Sequence, residues 1–141
     1  MKKKPKKLSF RASLNKIMKI ILKTVLAIFV VIVLIGLVNF GVDYYNYNLK
    51  LTDLAEIPSD NGSYSVMIQQ VGEPKGAFGD FDVRVTVKAD GEILHEFKSE
   101  IANDGKMLDW HNWQVEWNEE TVTVILDGEE QEEEIFTIEL Q

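Results

Sequence analysis

The sequence predicts a chain of two unlike parts, an N-terminal transmembrane helix and a small all-β domain built as an antiparallel sandwich or barrel of about six strands. Three observations carry this reading. Residues 24–42, TVLAIFVVIVLIGLVNFGV, run for nineteen positions without a charge. Nine basic residues and no acidic one precede that run, whereas all 23 acidic residues follow it against six basic ones. From residue 63 onward apolar side chains recur at every second position between glycine-bearing turns, with no helical pattern among them.

Residues 1–23 form the basic cytoplasmic part. MKKKPKK has nothing to bury and carries Pro5, so a disordered tail drawn to anionic inner-leaflet lipid is expected. In LSFRASLNKIMKIILK, Phe10, Leu14, Ile17, Met18 and Ile21 fall at helical spacing with lysines on other faces. This is the pattern of an amphipathic segment lying in the interface and running into the span. The span itself accounts for the neighbouring basic residues, so no nucleic-acid partner is expected.

As a helix, residues 24–42 reach ~28 Å, close to the ~30 Å hydrocarbon core of a bilayer. The competing reading, a cleaved signal peptide, calls for a shorter apolar core and a small-x-small cleavage site, and none follows Val42. With no cysteine in the chain, a lipid-modified N-terminus is excluded as well. Lysine and arginine stay on the cytoplasmic side, so the N-terminus is expected inside and the acidic remainder outside. Gly36 and Gly41 are not at Gly-x-x-x-Gly spacing, and no ionisable residue lies within the span. Transport by this chain alone is therefore not expected.

Residues 43–62 read as a stalk. Tyr44, Tyr45 and Tyr47 suit a headgroup-level anchor belt, the alternative being that they begin the folded domain. Pro58, Ser59, Asp60, Asn61 and Gly62 are turn chemistry closing the stalk.

Residues 63–141 are the extracytoplasmic β-domain. SYSVMIQQV places Tyr64, Val66 and Ile68 on one face, and FDVRVTVK turns Phe81, Val83, Val85 and Val87 inward. Asp90-Gly91 supplies the positive-φ pair of a two-residue type I′ hairpin. EILHEFKSEI then directs Ile93, His95, Phe97 and Ile101 to the apolar side. WQVEW offers Trp113, Val115 and Trp117, TVTVIL offers Val122, Val124 and Leu126, and IFTIEL offers Phe136, Ile138 and Leu140. A domain of this size is only marginally able to bury its own core.

The string QQVGEPKGAFGDFDVRVTVKADG, followed by IANDG, WQVEW and VTVILDGEEQ, resembles a group of small single-span envelope proteins of Gram-positive bacteria that carry an extracytoplasmic β-domain without an assigned function. The resemblance covers residues 63–141 and the anchor, and its most particular piece is the Gly-Glu-Pro loop leading to Phe78-Gly79. Where this chain has Lys75, Gly76 and Ala77, that group has more proline and tryptophan. The resemblance implies a cell-membrane location and a β fold, and no activity or site residues.

Catalytic chemistry finds little to work with. There is no thiol, and the two histidines are His95, expected as a core or rim residue, and His111. Asp109 lies near His111, and Ser63, Ser65 and Ser99 are available, but a serine triad needs all three groups in contact. Asp80 and Asp82 share one face of an extended segment, as solvated acidic pairs commonly do. The acidic turn DGEEQEEE lacks the spacing of a calcium loop, so neither a metal site nor any other cofactor is expected.

The working surface is expected at the loop Gly72 to Asp80 together with Trp110, His111 and Asn112. Phe78 and Lys75 are its candidate contacts in the loop, because an isolated aromatic among glycines is exposed only if it meets something. The opposing expectation is that Phe78 and Trp110 fold back and plug the ends of a small sandwich. The leading function is a non-enzymatic, membrane-tethered domain that binds a protein or envelope component. A ligand sensor or carbohydrate binder using its tryptophans, and a small envelope hydrolase, are the alternatives. Burial or exposure of Trp110, Trp113 and Trp117 separates the first two.

Overall fold

The computed structural model describes residues 7–74, 76–103 and 105–140, with side chains from Ala12 onward. Of the basic tail MKKKPKK, residues 1–6 lie outside the described residues, as does Lys75, and Lys7 begins the first helix. The chain divides into two compact units, Met1–Val42 and Asp43–Gln141.

Helix α1 runs unbroken over Lys7–Asn48, so the expected interfacial segment and the apolar run belong to one element. Its Ala12–Asn48 portion is long and apolar enough to cross a membrane, and its apolar run is not buried inside the protein. The hydroxyl of Thr24 donates to the carbonyl of Ile20 at 3.0 Å, which satisfies the polar group at the start of the run.

The stalk expected over residues 43–62 is not a stalk. Residues 43–48 are the last turns of α1, Leu49 and Lys50 both donate to the Tyr45 carbonyl at 2.9 Å, and β1 begins at once as Leu51–Pro58. The β-domain therefore starts well before residue 63 and has a seventh strand. Of the two readings of the tyrosines, the structure places them in the helical turns that belong to the β-domain unit.

Strands β2 (Tyr64–Val71), β3 (Phe81–Ala89) and β4 (Glu92–Ile101) follow, then β5 (Trp113–Trp117), β6 (Thr121–Leu126) and β7 (Glu134–Glu139). Among the described residues these make a four-stranded sheet in the order β1-β2-β3-β4 and a three-stranded sheet in the order β5-β6-β7. All pairings are antiparallel. The predicted hairpin between β3 and β4 is present, with Asp90 at φ 48° and Gly91 at φ 87°, the left-handed pair that matches strand twist.

Alternation places one hydrophobic core between the sheets. Val66, Ile68, Val83, Val85, Val87 and Ile101 from one sheet and Val122, Val124 and Leu126 from the other are fully buried, with Ile138 and Leu140 beside them. Trp113, Val115, Trp117, Phe97 and Phe136 pack around that cluster, and the Phe97 and Phe136 rings lie 4.2 Å apart across the layers. The architecture is a sandwich, closed at one corner by the Tyr64 hydroxyl donating to the Leu140 carbonyl at 3.0 Å.

Strand β4 departs from the simple alternation expected of it. Val87 pairs with His95 but Lys88 pairs with Ile93, so Leu94 is an extra, bulged residue. The bulge shifts the strand by one position and exchanges faces: Leu94 packs on the core, whereas Ile93 is 64% exposed. His95, expected in the core or at its rim, is exposed, with its ring 6.2 Å from that of Phe97.

On the outer face of the larger sheet a polar row crosses all four strands. Arg84 donates through Nε and Nη2 to Gln69 Oε1 at 3.0 and 2.5 Å, Gln69 Nε2 donates to Asp53, and Arg84 Nη1 lies 3.8 Å from Glu96. Such cross-strand pairs explain why Gln69 can be buried without losing its hydrogen bonds.

Candidate functional site

Antiparallel register fixes which connections share an end of the sandwich. Leu51 faces Val71, Phe81 faces Ile101, and Trp113 faces Leu126, which in turn faces Glu134. The β2–β3 loop, the β4–β5 connection and the β6–β7 connection therefore lie together, at the end where α1 gives way to β1. Gly72 marks that junction: it donates to the Lys50 carbonyl at 2.7 Å and has φ +71°. A Cβ there would meet the Tyr47 carbonyl oxygen at 2.1 Å.

Each connection is tied down by a side-chain amide. Asn103 Nδ2 donates to the carbonyls of Ala77 and Gly79 at 3.3 and 3.1 Å, which docks the Phe78 loop on the β4–β5 connection. Gln131 accepts from the Ala102 amide at 2.9 Å and donates to the Glu100 carbonyl at 3.3 Å, so the acidic stretch after β6 is fastened to the end of β4. Gly128 is required for that approach, since a Cβ on it would lie 2.7 Å from the Ala102 nitrogen.

The DWHNW segment forms a short 3-10 turn, Trp110–Asn112, capped by Asp109. The Asp109 carboxylate accepts from the His111 amide and sits against His111 Nδ1, both at 2.9 Å. Asn112 Oδ1 reaches back to the Asp109 amide at 2.9 Å, completing a capping box. The His111 amide and then the His111 ring hold the Asp109 carboxyl below the ordinary carboxylate range. On this scaffold the Trp110 ring lies on the His111 ring, centroids 3.4 Å apart and planes at 31°, and remains 72% exposed.

The predicted site residues thus fare differently. Phe78 is 75% exposed and its ring lies beside Gly105, 3.0 Å from where a Cβ would stand. Trp110 and His111 are exposed on the neighbouring segment. Asn112 is half-buried and both ends of its amide are engaged, Nδ2 donating to the Asp127 carbonyl at 3.0 Å, so it positions the segment rather than presenting a free contact. Lys75 lies outside the described residues. Sequence reasoning missed Met107, which is 79% exposed between Phe78's neighbour Gly105 and Trp110. Nothing in a lone methionine of a Gly-Lys-Met-Leu stretch signals that.

The tryptophans divide. Trp113 and Trp117 pack on the core, and the Trp117 Nε1 is buried without a hydrogen-bond partner among the described residues, whereas Trp110 faces outward. Plugging of the sandwich end by Phe78 and Trp110 is therefore not what the fold does with them.

A cavity of about 320 Å³ opens beside this edge, lined by residues that include Phe81, Ala102, Lys106, Leu108, His111 and Asp127. Lys106 and Glu129 form an ion pair across it. The Asp109–His111 pair resembles two thirds of a triad, but Ser99 donates to Glu134, Ser65 donates to Glu56 at 3.5 Å, and none of Ser63, Ser65 and Ser99 lines the cavity. Among the described residues no group of three histidines or carboxylates is placed to hold a metal ion. No protein-family model matches the chain, and comparison with curated proteins and with solved structures finds no match either.

Proposed function

We propose that this protein is a single-pass, membrane-tethered β-domain that binds a protein or envelope component outside the membrane and performs no catalysis. The observation that carries the reading is Trp110, a large ring left 72% exposed on a segment made rigid by the Asp109 cap and the His111 stack. Exposed apolar rings on a fixed backbone lose little conformational freedom when they meet a partner, and they are characteristic anchors of recognition. Phe78, on a loop fastened through Asn103, adds a second anchor at the same end.

The tether is α1, and its orientation follows from the nine basic residues before the apolar run: N-terminus cytoplasmic, β-domain extracytoplasmic at the cell membrane. The carbohydrate reading rests on three open tryptophans, and two of them, Trp113 and Trp117, are committed to the core, which favours a protein or envelope partner. The likeness to envelope proteins of Gram-positive bacteria agrees with this and rests on the sequence features alone.

Cross-linking capture from native membranes with the intact chain tests the proposal. A partner that is retained by the wild type and lost from Trp110→Ala supports it. A capture profile identical for the two chains overturns the assignment of this surface.

A further inference from the structure

The exposed apolar side chains of the β-domain are unevenly placed. Leu49, Leu51, Phe78, Met107, Trp110 and Ile135 are all exposed and belong to the end where α1 passes into β1. At the other end, where the β1–β2, β3–β4 and β5–β6 turns lie, Ile93 is the corresponding exposed residue among those described. The chain also limits how far the apolar end can stand from a bilayer. Only residues 43–50 separate the apolar run from β1, and residues 43–48 are helical, adding about 9 Å along the helix, comparable to the headgroup layer. Tyr44, Tyr45 and Tyr47 fall within that short interval.

We infer that this end of the sandwich rests on the membrane from which it emerges, with Phe78, Met107 and Trp110 inserted into the headgroup interface of the outer leaflet. The inference builds on the tethered reading above and names lipid as what the aromatic edge meets first. Apolar area removed from water supplies the attraction, and Trp110 combines an apolar body with a polar N–H that suits the interface. The β6–β7 connection brings Asp127, Glu130, Glu132 and Glu133 to the same end, in addition to Glu129, which is paired with Lys106. Those carboxylates select the surface: apolar insertion proceeds on zwitterionic lipid and is opposed by anionic lipid.

The chain has no native cysteine, so a nitroxide at Met107→Cys can be compared with one at Ile93→Cys in the full chain reconstituted into phosphatidylcholine vesicles. Met107 is 79% exposed, so the substitution removes no core contact. The expected result is a collision rate with oxygen, relative to a water-soluble nickel chelate, several-fold higher at position 107 than at position 93. Adding phosphatidylglycerol should reduce the difference, and Phe78→Ala/Trp110→Ala should abolish it. Equal, aqueous values at both positions in phosphatidylcholine overturn the inference, as does a position-107 signal that needs anionic lipid. If position 107 is aqueous while Trp110-dependent protein capture persists, the edge takes a protein and only the lipid assignment falls. If position 107 is in lipid while capture ignores Trp110, the lipid assignment holds and the protein-binding reading of this edge falls.

Discussion

Replacing Gly72 by alanine should destabilise the β-domain far more than the same change at Gly62, and the structure says by how much. The two glycines have nearly the same backbone, φ +71° and φ +73°. An L side chain in that region costs about 1–2 kcal/mol at either site. At Gly62 a Cβ meets nothing within 4 Å, so that is the whole effect. At Gly72 it would sit 2.1 Å from the Tyr47 carbonyl oxygen, a backbone atom that cannot rotate away. Forcing such an overlap costs a further ~1–3 kcal/mol. For a domain of this size each 1 kcal/mol lowers Tm by roughly 4–8 °C, so Gly72→Ala should melt on the order of 10 °C below Gly62→Ala. All three tryptophans lie in the β-domain and α1 holds tyrosines but no tryptophan, so selectively excited tryptophan fluorescence of the intact chain in detergent follows the melting of the β-domain. Equal Tm values for the two variants would refute the close packing of the helix end on β2 and restore a loose connection there.

Leu126→Ala, at a fully buried position, should cost about 2–5 kcal/mol in denaturant unfolding. A cysteine in place of the exposed Asp127 should react with a membrane-impermeant maleimide on intact cells, and labelling only after lysis would reverse the topology. Protonating Asp109 should loosen the Trp110–Asn112 turn. Its folded pKa is depressed, so its contribution is complete above the ordinary value of ~3.9 and is lost as pH falls through the lower folded value. Protection of the His111 amide, measured as its exchange relative to an unstructured amide at the same pH, should therefore fall only on the acid side of about pH 4, and in Asp109→Asn that loss should not appear.

The six strands from residue 64 onward were legible because period-two alternation maps directly onto two buried faces. Tyr64, Val66, Val83, Val124 and Ile138 point where that pattern sends them. The two misreadings share one cause. In β1, Asp53 pairs with Gln69 while Ala55 pairs with Ile68, so Leu54 is an extra residue. That insertion leaves Leu51, Leu54 and Ile57 at a spacing of three, which disguises a strand as a stalk. The bulge at Leu94 did the same to Ile93. Exposure of Phe78 and Trp110 was one of two readings the sequence left open, and the structure selects it over plugging of the sandwich end. The fastening of their loops by Asn103, Gln131 and Asn112 was not legible, because those contacts bridge residues distant in sequence.

Whether the aromatic edge serves recognition or stability is decided most directly by equilibrium unfolding of the double variant Phe78→Ala/Trp110→Ala, followed through Trp113 and Trp117. Both side chains are more than two-thirds exposed, so the account predicts an unfolding free energy within about 1 kcal/mol of wild type. A loss of about 3–5 kcal/mol or more, the signature of truncating a buried aromatic, would contradict it.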